Sequence, residues 1–321
     1  MAEALHIPVM LQEVAEHLAI PKGGRVLDLT LGLGGHAEAM LARADNNVRY
    51  LGIDRDCEAV SIASQRLGGD ERFSAIAATY EAVWEAREFE DWAAKCAPDG
   101  FDVILADLGV SGLQLKTPSR GFSFMAEGPL DMRMDSKQRL TAFEWLKRQT
   151  EESLAKALFK YGEERASRAV SKAILNAMAD GKLLTTLDLA KAVYSVLPRK
   201  TAAGKKQIDP ATRTFQAIRI SVNSELSGLG KAIEKAAAAL KTLGRIGVIS
   251  FHSLEDRIVK RALRRLAGLY DGPGRRPPSP LPKYLQLISP GGIVPSEGER
   301  LSNPSSRSAR LRLAQRVPCC I

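Results

Sequence analysis

Three aspartates, Asp28, Asp54 and Asp107, each close a short apolar run of the sequence. The first is followed by a glycine-rich stretch, Gly32-Leu-Gly34-Gly35-His36. Glycines let the backbone turn tightly and approach a ligand closely, and a helix that begins there presents free N–H groups. Asp54 follows Gly32 by 22 residues, a position from which a carboxylate accepts both hydroxyls of an adenosine ribose. The spacing therefore predicts a nucleoside cofactor site.

The glycine pattern alone leaves two cofactors open. Gly32, Gly34 and Ala37 satisfy a dinucleotide fingerprint, which would suit a nicotinamide cofactor. Asp28 favours S-adenosylmethionine instead, because a carboxylate before the glycines suits a cationic methionine moiety better than a pyrophosphate. Asp54 supports either cofactor.

Asp107 has a different chemical interpretation. The lone pair of an exocyclic amine on cytosine or adenine is delocalised into the ring, so the amine needs a hydrogen-bond acceptor to become nucleophilic. An acidic residue at the end of the fourth predicted strand would supply that acceptor. The alternatives for Asp107 are a contact to the cofactor and an ordinary turn-forming aspartate.

Strands and helices alternate in the first third of the chain. Strands are predicted over 25–30, 48–54, 73–78 and 101–108, and helices over 36–44, 57–67 and 82–96. The strands are apolar enough to be covered on both faces, which is typical of a parallel sheet. The predicted fold class is therefore α/β, a Rossmann-like core with a mostly parallel sheet.

The pattern changes after Gly112. Residues 113–135 are rich in Gly, Pro and Ser, amphipathic helices follow to about 197, and a lysine-rich linker covers 199–207. The α/β pattern then resumes, with helices over 211–226 and 231–242 and strands over 246–250, 310–316 and, inside an irregular loop at 271–298, over 284–288. We expect a core formed by 1–114 and 213–321, with a helical RNA-recognition domain inserted at 115–212.

Composition supports a globular protein, and charge indicates its partner. The 321 residues are 45% hydrophobic and carry a net charge of +9, which excludes disordered and collagen-like chains. Residues 1–114 hold 9 basic and 19 acidic side chains, 115–212 hold 18 and 11, and 213–321 hold 19 and 7. Basic later segments are typical of a protein that contacts nucleic acid, and a solvated basic surface is the alternative.

Cysteine usage and hydropathy indicate the cellular compartment of the protein. Cys57, Cys96, Cys319 and Cys320 show no CxxC spacing, so reduced thiols in a cytoplasmic protein are expected, with no metal site. No apolar run approaches the length of a membrane-spanning helix, and no signal peptide is predicted.

Several longer motifs resemble one known family. They are Gly34-Gly35-His36, Asp54-Arg-Asp56, Asp107-Leu-Gly-Val-Ser111 with Gln114, Arg120-Gly-Phe-Ser-Phe-Met125, Gly128-Pro-Leu-Asp-Met-Arg-Met-Asp135, Tyr161-Gly-Glu-Glu-Arg165, Pro210-Ala-Thr-Arg-Thr-Phe-Gln216 and Ser250-Phe-His-Ser-Leu-Glu-Asp-Arg257. Together they are similar to the MraW family of ribosomal RNA small subunit methyltransferases, and the resemblance runs from His6 to about Arg316.

The resemblance implies both a reaction and a site. It implies methylation, by S-adenosylmethionine, of the N4 amine of one cytidine in the decoding region of small-subunit (16S) ribosomal RNA, as free RNA or in an assembled subunit. It places the cofactor contacts on seven positions: Gly34, Gly35, His36, Asp54, Tyr80, Asp107 and Gln114. Tyr80 stands where the family pattern has Phe, and either ring could stack on adenine.

Other motifs have two interpretations each. The alternation in Gly128–Asp135 puts Asp131, Arg133 and Asp135 on one face, either lining a cleft or paired with one another. A polar stripe on the helix from Ala211, formed by Thr212, Gln216, Arg219 and Asn223, is either a cleft wall or an exposed face. Ser253 is expected to cap the next helix, and His252 is either a base contact or a structural residue. On that helix five basic residues share a stripe that could hold phosphates: Arg257, Lys260, Arg261, Arg264 and Arg265.

Two rival functions stay open at this stage. A nicotinamide oxidoreductase would share the glycine loop, and a non-catalytic RNA-binding protein would share the basic helix. The sequence leaves the oligomeric state undecided, with a homodimer as one option.

Overall fold

The computed structural model describes residues 8–197, 209–270, 281 and 283–318. Within them, seven strands form one sheet in the order β3-β2-β1-β4-β5-β7-β6. The strands are β1 (Arg25–Asp28), β2 (Arg49–Asp54), β3 (Phe73–Ala77), β4 (Phe101–Asp107), β5 (Leu240–Ser250), β6 (Leu285–Leu287) and β7 (Arg310–Arg316). Strands β1 to β5 pair in parallel, and β7 runs antiparallel to both β5 and β6. The predicted Rossmann-like α/β class is confirmed.

Two apolar layers cover the sheet because its strands alternate side chains between the faces. Leu27, Leu51 and Ile104 pack on one face, with helices that follow β3 and flank β5. Val26 and Tyr50 pack on the other face, with the first three helices. The helices of this unit are α1 (Leu11–His17), α2 (Gly35–Leu41), α3 (Cys57–Leu67), α4 (Arg87–Cys96), α11 (Leu229–Ala238), α12 (Ser253–Leu266) and α13 (Glu297–Ser302).

The chain divides into two compact units. The first combines Met1–Gly109 with Leu226–Ile321 and holds the sheet; the second is Val110–Glu225. The helices of the second unit are α5 (Gly112–Lys116), α6 (Ala142–Lys147), α7 (Glu151–Gly162), α8 (Ser167–Ala179), α9 (Thr186–Tyr194) and α10 (Pro210–Asn223). They enclose an apolar core of their own, which includes Leu146, Leu158 and Ile218.

Helix α10 corrects one sequence assignment. The sequence pattern predicts that this helix belongs to the α/β core, but its buried side chains, Phe215, Ile218 and Val222, belong to the core of the second unit. The boundaries of that unit lie at Val110 and Glu225, outside the 115–212 expected. The apolar face of a helix does not by itself reveal which core it joins.

The end of the helix expected at 231–242 is also corrected. Helix α11 ends at Ala238, and β5 begins at Leu240. The alanine-rich sequence favours helix, yet Leu240 pairs with Phe101 of β4, whose N–H donates to the carbonyl of Ala239 at 2.9 Å. Strand pairing with β4 therefore overrides local helix propensity here.

Polar side chains in the second unit are used internally. Asn223 receives the N–H of Met134 and donates to the carbonyl of Met132, each at 2.7 Å. Arg219 binds both carboxylate oxygens of Glu225 at 2.9 Å. Asp131 and Arg133 form a bidentate pair in the same way. Arg219 and Asn223 of the polar stripe, and Asp131 and Arg133 of the charged alternation, thus stabilise the unit itself.

Some sequence predictions fall outside the described residues. They are the lysine-rich linker, residues 271–280 and 282 of the irregular loop, the Cys319–Cys320 pair and His6. Cys57 and Cys96 are free thiols. Within the described ranges no helix is long and apolar enough to cross a membrane, and no group of His, Cys, Asp and Glu side chains is arranged to hold a metal.

Candidate functional site

The three strand-end aspartates lie at one edge of the sheet. β1 is flanked by β2 and β4, so the carboxyl ends that carry Asp28, Asp54 and Asp107 are neighbours. The chain leaves β1 between its two neighbours: Leu29 donates to Leu105 at 2.9 Å and Leu31 donates to Ile53 at 2.8 Å. Strand order reverses at β1, which is where ligands bind in open α/β sheets.

Asp54 ties the glycine loop to β2. Its Oδ2 accepts the N–H of Gly32 at 2.8 Å, and its Oδ1 accepts the N–H of Asp56 at 2.9 Å. Burial raises the pKa of the Asp54 carboxyl, and the two backbone hydrogen bonds oppose that rise. Each carboxylate oxygen has a second lone pair, so Asp54 retains acceptor capacity for sugar hydroxyls.

The loop requires glycine where the sequence has it. Gly34 adopts a φ of 79°, in the left-handed region. A Cβ on Gly35 would come within 2.5 Å of the ring of Pro8. The N-terminal segment at Pro8 therefore packs directly against the loop, and only glycine fits between them.

Asp28 has a role that the sequence did not predict. It is 1% exposed, and both of its oxygens have partners within the protein: Oδ1 accepts from the N–H of Thr30 at 3.0 Å, and Oδ2 from the hydroxyl of Tyr50 at 2.9 Å. Burial raises its pKa to about 6. Asp28 therefore supports the loop from beneath, and its charge acts on a ligand only through space.

His36 and Asp107 lie close together and carry polar atoms that lack hydrogen-bond partners among the described residues. Nε2 of His36 lies 3.5 Å from Oδ2 of Asp107. Both ring nitrogens of His36 and Oδ1 of Asp107 are buried and have no hydrogen-bond partner among the described residues. Buried polar atoms of this kind normally have partners, so the pair is arranged for a ligand. These orphaned atoms fit a polar cofactor or substrate at this edge.

The sequence does not indicate the roles of two side chains near this pair, Thr30 and Glu299. Thr30 fixes the end of β4, since its hydroxyl accepts the N–H of Asp107. Glu299 of α13 accepts the N–H of Met10 at 2.7 Å and lies close enough to His36 to interact electrostatically. Glu299 is 289 residues from Met10, and no local pattern in the sequence connects the two.

Tyr80 and Gln114 occupy different units. Tyr80 follows β3, is half-buried against the sheet core and accepts the indole N–H of Trp84 on its carbonyl at 2.9 Å. Gln114 belongs to the second unit, where it is buried and forms a capping box with Ser111 at the start of α5. The structure therefore groups six of the seven predicted cofactor contacts in the first unit and places Gln114 in the second.

The prediction that Ser253 caps the helix after β5 is wrong. The residue that caps α12 is His252, whose Nδ1 accepts the N–H of Glu255 at 3.3 Å, while Ser253 is the first helical residue. The carboxylate of Glu255 accepts the N–H of Phe251 at 2.9 Å. His252 thus has a structural role, because its ring closes the helix terminus.

Helix α12 carries its basic residues on the surface. Arg257, Lys260 and Arg261 are exposed, while Val259, Leu263 and Leu266 are buried against the sheet. Arg265 is also exposed and forms an ion pair with Glu234, whereas Arg264 is half-buried. Four of the five basic residues of the sequence pattern therefore lie on the exposed face.

Comparison with known proteins decides the family. A family model described as the MraW methylase family matches residues 3–317. The chain belongs to the MraW methylase family. The chain is 44% identical over 318 residues to the ribosomal RNA small subunit methyltransferase H of Hydrogenovibrio crunogenus, covering 97% of this chain and 96% of that protein. A protein of the same name from Xanthomonas oryzae is 42% identical over 315 residues, covering 98% and 89%.

Membership in this methylase family confirms the predicted resemblance. It also confirms S-adenosylmethionine, rather than a nicotinamide, as the cofactor. A dinucleotide fingerprint is thus insufficient to identify a cofactor. The acidic side chains of the site, Asp28, Asp54 and Asp107, suit a cationic sulfonium ligand.

Proposed function

We propose that this protein transfers a methyl group from S-adenosylmethionine to the N4 amine of a cytidine in the decoding region of small-subunit (16S) ribosomal RNA. The observation that carries the proposal is the buried, unpartnered Oδ1 of Asp107 at the end of β4, beside the cofactor loop. Relatives named ribosomal RNA small subunit methyltransferase H support ribosomal RNA as the substrate.

Asp107 accepts a hydrogen bond from the amine in this mechanism. A cytosine N4 amine is a poor nucleophile because its lone pair is delocalised, and an acceptor on one N–H returns electron density to nitrogen. Asp107 is partly exposed, with 23% of its side chain accessible. Its carboxylate can therefore meet a base that enters the site.

The remaining predicted contacts hold the cofactor. Asp54 accepts the ribose hydroxyls, the ring of Tyr80 stacks on adenine, and the Gly34–His36 turn and Gln114 complete the set. The cofactor supplies a methyl group on an activated sulfonium, so the enzyme needs no covalent intermediate. Orientation and exclusion of water supply most of the acceleration.

The substrate is presented as an extruded base. Enzymes that modify a base take it out of its stack, and mismatched or unpaired bases cost least to extrude. The exposed basic residues of α12 contact phosphates, and the second unit, Val110–Glu225, serves as an RNA-recognition domain. We place the reaction in the cytoplasm; a homodimer stays a prediction.

Methyl transfer to isolated small subunits, with labelled cofactor, tests the proposal. Asp107→Asn keeps the size of the side chain and removes its charge, so the single-turnover rate should fall by about 10²-fold or more, with little change in cofactor affinity by calorimetry. Asp91→Asn, at an α4 side chain that is 74% exposed, is the matched control. Full turnover in Asp107→Asn with unchanged cofactor affinity would overturn the role of Asp107.

A further inference from the structure

We propose that His36 is a positioning residue for Asp107 that takes up the proton released by the target amine. The inference rests on the proposed methyl transfer and assigns the fate of its proton. Asp107 faces the amine, and His36 lies behind it. Of the two side chains, 23% of Asp107 but only 7% of His36 is exposed.

The geometry provides a route for the proton from Asp107 to His36. Oδ1 of Asp107 is buried without a partner among the described residues, so the accessible part of the carboxylate is the acceptor for the amine N–H. Oδ2 of the same carboxylate lies 3.5 Å from Nε2 of His36. That nitrogen also lacks a hydrogen-bond partner among those residues, so it is able to receive a proton. A small movement of either side chain brings the pair to hydrogen-bond distance.

Carboxylates from three elements interact with His36. Asp107 of β4 is in direct ion-pair range. Asp28 of β1 interacts with His36 through space: burial raises the pKa of Asp28 to about 6, and a positive His36 opposes that rise. Burial likewise raises the pKa of Glu299 on α13, again opposed by His36. Asp28 and Glu299 are each better accommodated as a carboxylate when the imidazole is protonated.

The reaction balances in atoms and charge. The amine lone pair forms the new N–C bond, the C–S bonding pair stays on sulfur, and the amine proton passes to Asp107 and on to Nε2 of His36. The site then loses the positive charge of a sulfonium and gains that of an imidazolium. The net charge among the buried carboxylates is unchanged, which avoids the cost of leaving them uncompensated.

Two variants and one control separate this role from a structural one. His36→Gln keeps a hydrogen-bond donor that can reach Asp107 but takes up no proton. Its single-turnover rate should fall by about 10²-fold, and it should lose the rise in rate with pH that deprotonation of His36 produces in the wild-type protein. His17→Asn, on α1, should retain the wild-type pH profile. A His36→Gln protein with the wild-type profile would overturn the proposal.

A second measurement uses the cofactor-free protein. The chain has four histidines, so imidazole NMR signals can be assigned by the signal lost in His36→Gln. Asp107→Asn should change the chemical shifts of the His36 imidazole at fixed pH, and unchanged signals would contradict the contact. If the wild-type protein transfers no methyl group to RNA, the proposed function fails, while these signals still decide whether the two side chains are in contact.

Discussion

The hydroxyl of Tyr50 donates a 2.9 Å hydrogen bond to Oδ2 of Asp28, and both side chains are buried beneath the cofactor loop. Oδ1 of Asp28 accepts the N–H of Thr30, whose hydroxyl accepts the N–H of Asp107. The support of the loop and the position of Asp107 are therefore linked by three hydrogen bonds across β1, β2 and β4.

This arrangement makes the stability of the protein depend on pH. Burial raises the pKa of Asp28 from 3.8 to about 6. The folded protein thus holds a proton that the unfolded chain has already lost, and this stabilising contribution is complete below pH 3.8 and is lost as the pH rises through about 6.

Asp28→Asn should remove that dependence. The amide can still accept from Thr30 and donate to the Tyr50 oxygen, so at pH 8 the variant should be more stable than the wild type by about 1–3 kcal/mol. The difference should shrink near pH 4.5. Urea unfolding at both pH values measures it, and the same pH dependence in both proteins would refute the assignment of Asp28.

Asp54→Asn should weaken cofactor binding. An amide would place an NH₂ group against the N–H of Gly32 or Asp56, where Asp54 now accepts both. The variant loses one hydrogen bond that anchors the glycine loop and one acceptor for the ribose hydroxyls. We therefore expect the affinity for S-adenosylmethionine to fall about 10- to 100-fold. Calorimetry measures the change, with Asp91→Asn as control. Unchanged affinity would mean that Asp54 does not contact the ribose.

Phosphate contacts by α12 should appear in the salt dependence of RNA binding. Lys260 and Arg261 are exposed, and each phosphate contact contributes about 0.7–0.9 to the slope of log K against log salt. Lys260→Gln with Arg261→Gln should therefore weaken binding and reduce that slope by about 1.5. Arg87→Gln with Lys95→Gln on α4 removes the same charge and should leave the slope unchanged. Equal slopes in all three proteins would exclude α12 from the interface.

Close packing of α7 against α10 should make Gly162 sensitive to substitution. A Cβ there would lie 2.5 Å from the carbonyl oxygen of Arg213. Gly162→Ala should destabilise the second unit by about 1–3 kcal/mol, seen as faster amide hydrogen exchange across α7 and α10. A Cβ on Gly69 meets nothing within 4 Å, so Gly69→Ala should leave this exchange unchanged. Equal exchange in both variants would contradict the packing.

Local patterns predicted much of the fold. The helix at 57–67 and the strand at 310–316 have the expected bounds, because alternation and helical spacing report burial directly. Errors occur where partners are distant in sequence. Leu240 is a strand residue because Phe101 pairs with it, and α10 packs on the second core rather than the first.

In the candidate site, too, local features could be predicted from the sequence, and contacts between distant residues could not. The strand-end aspartates and the glycine loop are visible in sequence, since each is local and its chemistry follows from residue type. The roles of Tyr50 and Glu299 could not be predicted from the sequence. A tyrosine in an apolar strand is indistinguishable from an ordinary core residue, and Glu299 contacts Met10 from the far end of the chain.

The central claim is tested most directly by mapping the methyl group on RNA. Small subunits that lack the modification are incubated with the protein and S-adenosylmethionine, and the small-subunit RNA is digested and sequenced by mass spectrometry. We predict one added methyl group, on N4 of a single cytidine in the decoding region, and none with Asp107→Asn in a single-turnover time. A methyl group on another base or atom, or no transfer by the wild-type protein, would contradict the account.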